Sequence, residues 1–258
     1  MVSAEGARTA VGILGNIISL FLFLSPVPTF IHIWKKGSVE QYSPVPYLAA
    51  LVNCMIWVMY GLPMVHPHSF LVLTINGAGL VIELTYLLLF LFYSGDQRER
   101  LKVVAAMLAE VVFIVAVALL VLTLAHTEAR RSMVVGTLCI LFNVMMYASP
   151  LFVIKLVIRT KSVEYMPFFI SFASFANGVS WASYALIRFD PFIIIPNGLG
   201  SVFALAQLVL YATYYKSTQK QLAERKSRGE MGLAHVTVAE DSQHSTKVGT
   251  AELQNGHV

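Results

Sequence analysis

Asn76-Gly77-Ala78-Gly79 interrupts an apolar run from Leu71 to Tyr93, and Asn197-Gly198-Leu199-Gly200 does the same in the run from Phe192 to Tyr215. A side-chain amide in hydrocarbon is unfavourable unless it is hydrogen-bonded, so polar residues at membrane depth face a bundle interior or a water-filled cavity. Two such amides in matching surroundings predict one cavity shared by two halves of the chain. The glycines beside them predict close packing between helices.

Outside these stretches the 258 residues are 57% hydrophobic and 12% charged, with a mean hydropathy of +0.71. Soluble domains carry about 25% charged residues. Seven apolar runs approach the ~20 residues needed to cross ~30 Å of hydrocarbon: about Gly12–Ile33, Pro44–Met64, Leu71–Tyr93, Val103–Ala125, Met133–Ile158, Pro167–Ile187 and Phe192–Tyr215. The first run lacks the basic flank and small-residue cleavage site of a signal peptide, so it is expected to insert as the first span.

Orientation follows from Lys and Arg in the short loops. Fourteen of the 18 fall in one alternating set of segments, from Lys35 and Lys36 to the tail, and four in the other, Arg8, Arg130, Arg131 and Arg188. That places the C-terminus in the cytosol and the N-terminus outside, and it reads the net charge of +4 as a topology signal, with no case for nucleic acid. Cys54 and Cys139 lie inside apolar runs and read as buried thiols. No disulfide framework, metal site or cofactor is indicated.

A repeat is visible. Ser149-Pro150 echoes Ser25-Pro26, Thr160 to Pro167 echoes the loop from Lys35 to Pro44, and Asn177, Trp181 and Tyr184 echo Asn53, Trp57 and Tyr60. Spacings of four and three residues in both copies put each trio on one helical face. The chain therefore divides into a first three-helix repeat (1–95), a linker helix with flanking loops (96–130), a second three-helix repeat (131–215) and a disordered cytosolic tail (216–258). The fold class expected is an all-α membrane protein of seven spans in a 3+1+3 order, its halves being parallel repeats about an axis along the membrane normal. Prolines at 26 and 150 should kink their helices.

With Gly-Asn-Ile-Ile-Ser at 15–19, Pro-Val-Pro-Thr-Phe at 26–30, Ser-Val-Glu-Tyr-Met-Pro at 162–167 and both Asn-Gly units, residues 8–216 resemble the SWEET family of sugar uniporters, plant type, itself an established instance of parallel repeats. The resemblance implies a bidirectional facilitative carrier in which sugar sits between the two bundles. Asn76 and Asn197 would hydrogen-bond its hydroxyls and Trp57 and Trp181 would offer flat faces to its C–H side. Ser19, Leu22 and Asn53, with Asn143, Met146 and Asn177, match other pocket positions. Pro26, Pro46, Pro150 and Pro167 match the family's four hinge prolines, although the repeat alone pairs either Pro44 or Pro46 with Pro167. Tyr60 and Asp190 match a pair that closes the extracellular side. The resemblance also implies self-association and residence in the plasma membrane, with the vacuolar membrane as alternative.

Asn at 53 and 177 leaves less room than Ser or Ala, so a monosaccharide such as glucose is expected in preference to sucrose. Glu83, near the middle of the third run, and Glu110 read as carboxyls held by structural hydrogen bonds, with proton coupling the other possibility for Glu83. His32, His66 and His68 read as solvated surface. A proton-coupled amino-acid carrier of the PQ-loop group is the first rival, but no Pro-Gln dipeptide occurs. A seven-helix receptor has no need of the duplication. A membrane enzyme lacks a nucleophile, base and orienting group on one helical face.

Overall fold

The computed structural model describes residues 3–254, with side chains described for 3–227. All regular structure among the described residues is helical: α1 (Ala4–Leu24), α2 (Val27–Lys36), α3 (Val45–Gly61), α4 (Phe70–Tyr93), α5 (Gln97–Leu124), α6 (Glu128–Met146), α7 (Ala148–Thr160), α8 (Phe168–Ile187) and α9 (Pro191–Gln254). The first and fifth spans are each two helices. Proline removes a backbone donor and crowds the carbonyl four residues earlier, and α1 accordingly stops at Leu24 before Pro26, while α6 stops at Met146, four residues before Pro150. The expected kinks at Pro26 and Pro150 are therefore present.

The other two prolines differ. Pro46 lies in the first turn of α3 and Pro167 is the N-cap of α8, positions where a missing N–H costs no helical bond, so neither interrupts its helix. Pro44, not Pro46, holds the N-cap of α3 and so stands where Pro167 does.

Two bundles follow the repeat. In the first, α4 packs between α1 and α3; in the second, α9 packs between α6 and α8. The bundles meet along α1 against α8 and α3 against α6, and α5 lies on the outside against α3, with lighter contact to α4 and α6. Its residues from Val111 to Leu124 are largely exposed apolar side chains, as suits a helix facing lipid. Taken as whole spans, the inner helices α3 and α8 are the short ones, 17 and 20 residues. They carry the deepest core, with Ile56, Tyr60, Tyr184 and Ala185 at 0–2% exposure.

Close approach depends on glycine at the contacts between inner and central helices. A Cβ on Gly61 would meet the backbone of Leu73 at 2.9 Å, and one on Gly178 would meet the Asn197 carbonyl at 2.9 Å and the Ser201 side chain. Gly77 and Gly198, the glycines directly after the two asparagines, have open space where a Cβ would go, so the packing role expected of these glycines does not extend to them.

The tail also departs from expectation. α9 continues through Tyr215, and over residues 216–227 it is anchored: Thr218 is 3% exposed and its hydroxyl accepts from the Val163 N–H at 2.8 Å, Gln221 donates to the carbonyls of Thr160 and Lys161, and Arg225 meets Glu164 at 3.0 Å. The polar side chains that looked like solvated tail cap the α7–α8 loop. Side chains from 228 onward, which include the rest of the expected disordered tail, lie outside those described.

Two substitutions test this packing. Gly178→Ala should lower the thermal midpoint of the detergent-purified protein by several degrees, since overpacking costs about 1–3 kcal/mol. Gly77→Ala should leave it unchanged or slightly raised.

Candidate functional site

Between the bundles lies a cavity of about 460 Å³, within the ~300–1,000 Å³ usual for small-molecule sites. All ten residues assigned to substrate from the sequence line it: Ser19, Leu22, Asn53, Trp57 and Asn76 from the first repeat, with Asn143, Met146, Asn177, Trp181 and Asn197 from the second. Pro150 lines it too.

The two halves contribute in equivalent ways. The Nδ2 of Asn76 donates to the Val72 carbonyl and that of Asn197 to the Ile193 carbonyl, each at 2.9 Å and each one turn back. This bond fixes each amide and leaves its carbonyl oxygen and second N–H for the cavity. Ser19 donates to Asn177 Oδ1 at 2.6 Å, and Asn143 Nδ2 donates to Asn53 Oδ1 at 3.3 Å. These two bonds are counterparts under the repeat, and both cross from one bundle to the other. Trp57 and Trp181 are each 6% exposed and stand edge-on to Tyr60 and Tyr184 at 5.6 and 5.3 Å. The Trp181 indole also donates to Ser19 Oγ at 3.0 Å. Leu22 and Met146 add apolar wall.

Several lining residues had not been singled out. Tyr147 replaces Phe23 in the repeat; its hydroxyl donates to the carbonyl of Pro196, a proline inside α9, and lies 3.0 Å from where a Cβ on Gly200 would go. Gln207 and Ser174 complete the polar set. The substitution of a phenol for Phe at 147 is the one signal the sequence carried for Tyr147.

Glu83 corrects an expectation. It lines the cavity at 4% exposure, and its Oε2 is enclosed with no hydrogen-bond partner. The nearby Tyr86 hydroxyl, a natural donor, is committed to the Phe23 carbonyl at 3.1 Å. Glu110 Oε2 is likewise without a partner, so neither carboxyl has the structural bond expected of it.

The end of the cavity nearer the N-terminus is sealed. Tyr60, fully buried, donates its hydroxyl to Asp190, 2.9 Å from both carboxylate oxygens. Arg8, 5% exposed, lies 4.1 Å over the Tyr184 ring and donates to the His68 carbonyl at 3.0 Å, which the Tyr184 hydroxyl also approaches at 3.4 Å. The repeat thus places a tyrosine on either side of the seal, one against an anion and one against a cation. Sequence reasoning paired Tyr60 with Asp190 and missed Arg8, which looked like part of a tail. His32 is exposed beside Glu40, and the His68 side chain is exposed as well. His66 is not simply surface: its side chain is 26% exposed and contacts Asp190 and Ser132. At the opposite end, among the described residues, no hydrogen bond or ion pair joins one bundle to the other.

Two parallel three-helix repeats around a central cavity walled by amides, hydroxyls and aromatic rings with a single carboxyl, Glu83, define a membrane carrier of small polar molecules. The family model for a "Sugar efflux transporter for intercellular exchange" matches residues 9–98 and 133–219. The chain is 63% identical over 243 residues to a rice (Oryza sativa subsp. indica) protein named "Bidirectional sugar transporter SWEET4", covering 94% of this chain and 93% of that one. It is 58% identical to Arabidopsis thaliana "Bidirectional sugar transporter SWEET7", covering 88% of each. A 3.7 Å structure of a eukaryotic SWEET transporter superposes with a TM-score of 0.80 at 40% identity, over 83% of this chain and 99% of the other. The chain belongs to the SWEET family, an integral membrane family of sugar transporters and not an enzyme class.

Removing one member of a cross-bundle pair should be felt in stability. Ser19→Ala leaves both Asn177 Oδ1 and the Trp181 N–H without their partner, at about 1–3 kcal/mol for an unsatisfied buried group. The thermal midpoint in detergent should fall by several degrees.

Proposed function

We propose that this chain is a facilitative, bidirectional carrier of a monosaccharide such as glucose, working by alternating access in the plasma membrane. The observation that carries this is the pairing, on opposite walls of one cavity, of Asn76 with Asn197 and Trp57 with Trp181. A pyranose has a hydroxyl rim and weakly apolar faces, so amides and indoles bind it without needing a charge.

The Lys and Arg distribution sets the sealed end outside and the tail in the cytosol. The described conformation is then inward-facing, with Tyr60 and Asp190 as the outer gate. Transport requires the cross-bundle bonds of Ser19 with Asn177 and Asn143 with Asn53 to exchange for bonds to sugar or water as the bundles rock. Pro26 and Pro150, where the first and fifth spans are already broken, are the bending points; Pro46 and Pro167 would act as hinges only at the loop ends of α3 and α8. Self-association belongs to the same proposal.

A second reading, proton-coupled transport, is favoured by Glu83 alone, a cavity carboxyl with an enclosed and unpartnered oxygen. Counterflow of labelled sugars into reconstituted vesicles separates the two. Uniport predicts glucose equilibration without accumulation when a pH gradient is imposed. Uphill accumulation that is lost in Glu83→Gln would establish coupling.

In the same assay Asn76→Ala and Asn197→Ala should each cut glucose flux at least about tenfold, equivalent to about 1.4 kcal/mol, with the thermal midpoint little changed. The double variant Asn53→Ser plus Asn177→Ser should gain sucrose transport. Intact flux in the two alanine variants would remove the sugar site from this cavity.

A further inference from the structure

The outer gate contains more than Tyr60 and Asp190. His66, in the connector between α3 and α4, reaches across to the second bundle with both ring nitrogens. Its Nδ1 is 2.9 Å from Ser132 Oγ on α6, and its Nε2 is 3.2 Å from Asp190 Oδ2 ahead of α9. The ring stacks on Tyr60 at 4.6 Å and 16°.

The donors and acceptors here can be counted. A serine hydroxyl has one hydrogen. Ser132 Oγ is 2.6 Å from the Val65 carbonyl, which can only accept, so that hydrogen is committed to Val65. Nδ1 must then carry the hydrogen it shares with Ser132. If Ser132 turned its hydrogen to Nδ1 instead, two oxygens would face each other at 2.6 Å with nothing between them.

With Nδ1 protonated, a neutral imidazole presents a bare lone pair at Nε2, and that lone pair would point at Asp190. Asp190 is arranged as a carboxylate. It accepts from the Tyr60 hydroxyl and from the backbone N–H groups of Phe192 and Ile193 at 3.0 and 3.4 Å, at the N-terminus of α9 where an anion is favoured. The 3.2 Å contact is attractive only with a hydrogen on it. Whether that proton rests on the ring or on the carboxylate, the pair holds one proton more than a neutral histidine beside a carboxylate.

We infer that the closed outer gate is a proton-binding site, with His66 as a further gate residue and Ser132, hydrogen-bonded to Val65, as the residue that positions it. This rests on the reading of Tyr60 and Asp190 as a gate. His66 belongs to the first bundle, and Ser132 and Asp190 to the second, so opening separates the partners that hold the proton. The closed state therefore binds it more tightly than the open one, and by linkage acid at the outer face favours closure while alkali favours opening.

Besides Tyr60 and Asp190, the titratable and charged groups around the gate are the buried Cys139 thiol and Arg131 of α6 and, further off, Arg8. Arg131 on α6 is bound to the carbonyls of Ala125 and Met64 and opposes a positive ring, while Asp190 is the carboxylate His66 meets among the described residues. Arg8 and the His68 carbonyl lie on the Tyr184 side of the seal. Since the proton enters and leaves by the same face, it changes gate opening without being carried across.

The test is a distance measurement by spin labels on the full-length protein in lipid nanodiscs, using Met64→Cys and Phe189→Cys, exposed positions on opposite bundles near the seal; the native Cys54 and Cys139 are buried. On raising pH from about 5.5 to 8.5, the ratio of long to short distances should rise about tenfold. His66→Gln should abolish the pH response. Ser132→Ala should shrink it, because Nε2 can then carry the single hydrogen of a neutral ring. A pH response in His66→Gln equal to that of the unsubstituted gate, no response in the unsubstituted gate, or one of opposite sign would overturn the proposal. Tyr60→Phe and Asp190→Asn separate the two levels: if neither shifts the distances at any pH, the gate reading itself fails, whereas a shift to long distances in both with the pH response of Asp190→Asn as large as that of the unsubstituted gate sinks the proton site alone.

Discussion

Polar side chains at membrane depth must find partners, and in this chain they find them across the boundary between two bundles. Ser19 holds Asn177, and Asn143 holds Asn53, as repeat-related bonds on the two sides of the cavity. Such bonds locate the bundles relative to each other even though each contributes only about 1 kcal/mol. The same groups line the cavity. A ligand bringing its own hydroxyls would compete for the groups that otherwise tie the halves together.

The duplication is close to symmetric in packing and clearly asymmetric in charge. Tyr60 meets Asp190 and His66, while Tyr184 meets Arg8. Near the cavity, Glu83 of α4 has Ala204 as its counterpart in α9. Identical halves would not distinguish one end of the cavity from the other; opposite charges on either side of one seal give that end a specific closed geometry. Desolvation within the seal is extensive, with Tyr60, Asp190, Arg8 and Tyr184 all at 5% exposure or less. Each charge is therefore bonded where it stands, because an unpaired charge there would be strongly unfavourable.

The opening span of each repeat is interrupted at an equivalent place. The breaks at Ser25-Pro26 and at Tyr147, before Pro150, lie on the side of Ser19 and Asn143 away from the seal. The seal involves the other ends of α1 and α6, through Arg8 and Ser132. Close glycine contacts between α3 and α4 and between α8 and α9 make each bundle rigid enough to move as a body.

Seven spans, the 3+1+3 order and the residues facing the cavity were all legible in the chain, because a repeat with conserved internal spacing states which positions are equivalent, and buried amides state which face is interior. The identity of the gate was legible only in part. His66 and Arg8 looked like surface and tail because their partners are distant in sequence: Asp190 lies 124 residues beyond His66, and Tyr184 176 beyond Arg8. The bonds missing at Glu83 and the anchoring of 216–227 were equally invisible, since both depend on where a neighbouring helix commits its donors. Sequence by itself determined the spans, their pairing into repeats and the neutral polar face of each, all set by periodicity and by the cost of polar groups in lipid. Only the tertiary structure decided which of those groups meet, and hence which end is shut, because hydrogen bonds between helices depend on distances of a few tenths of an ångström that no local pattern encodes.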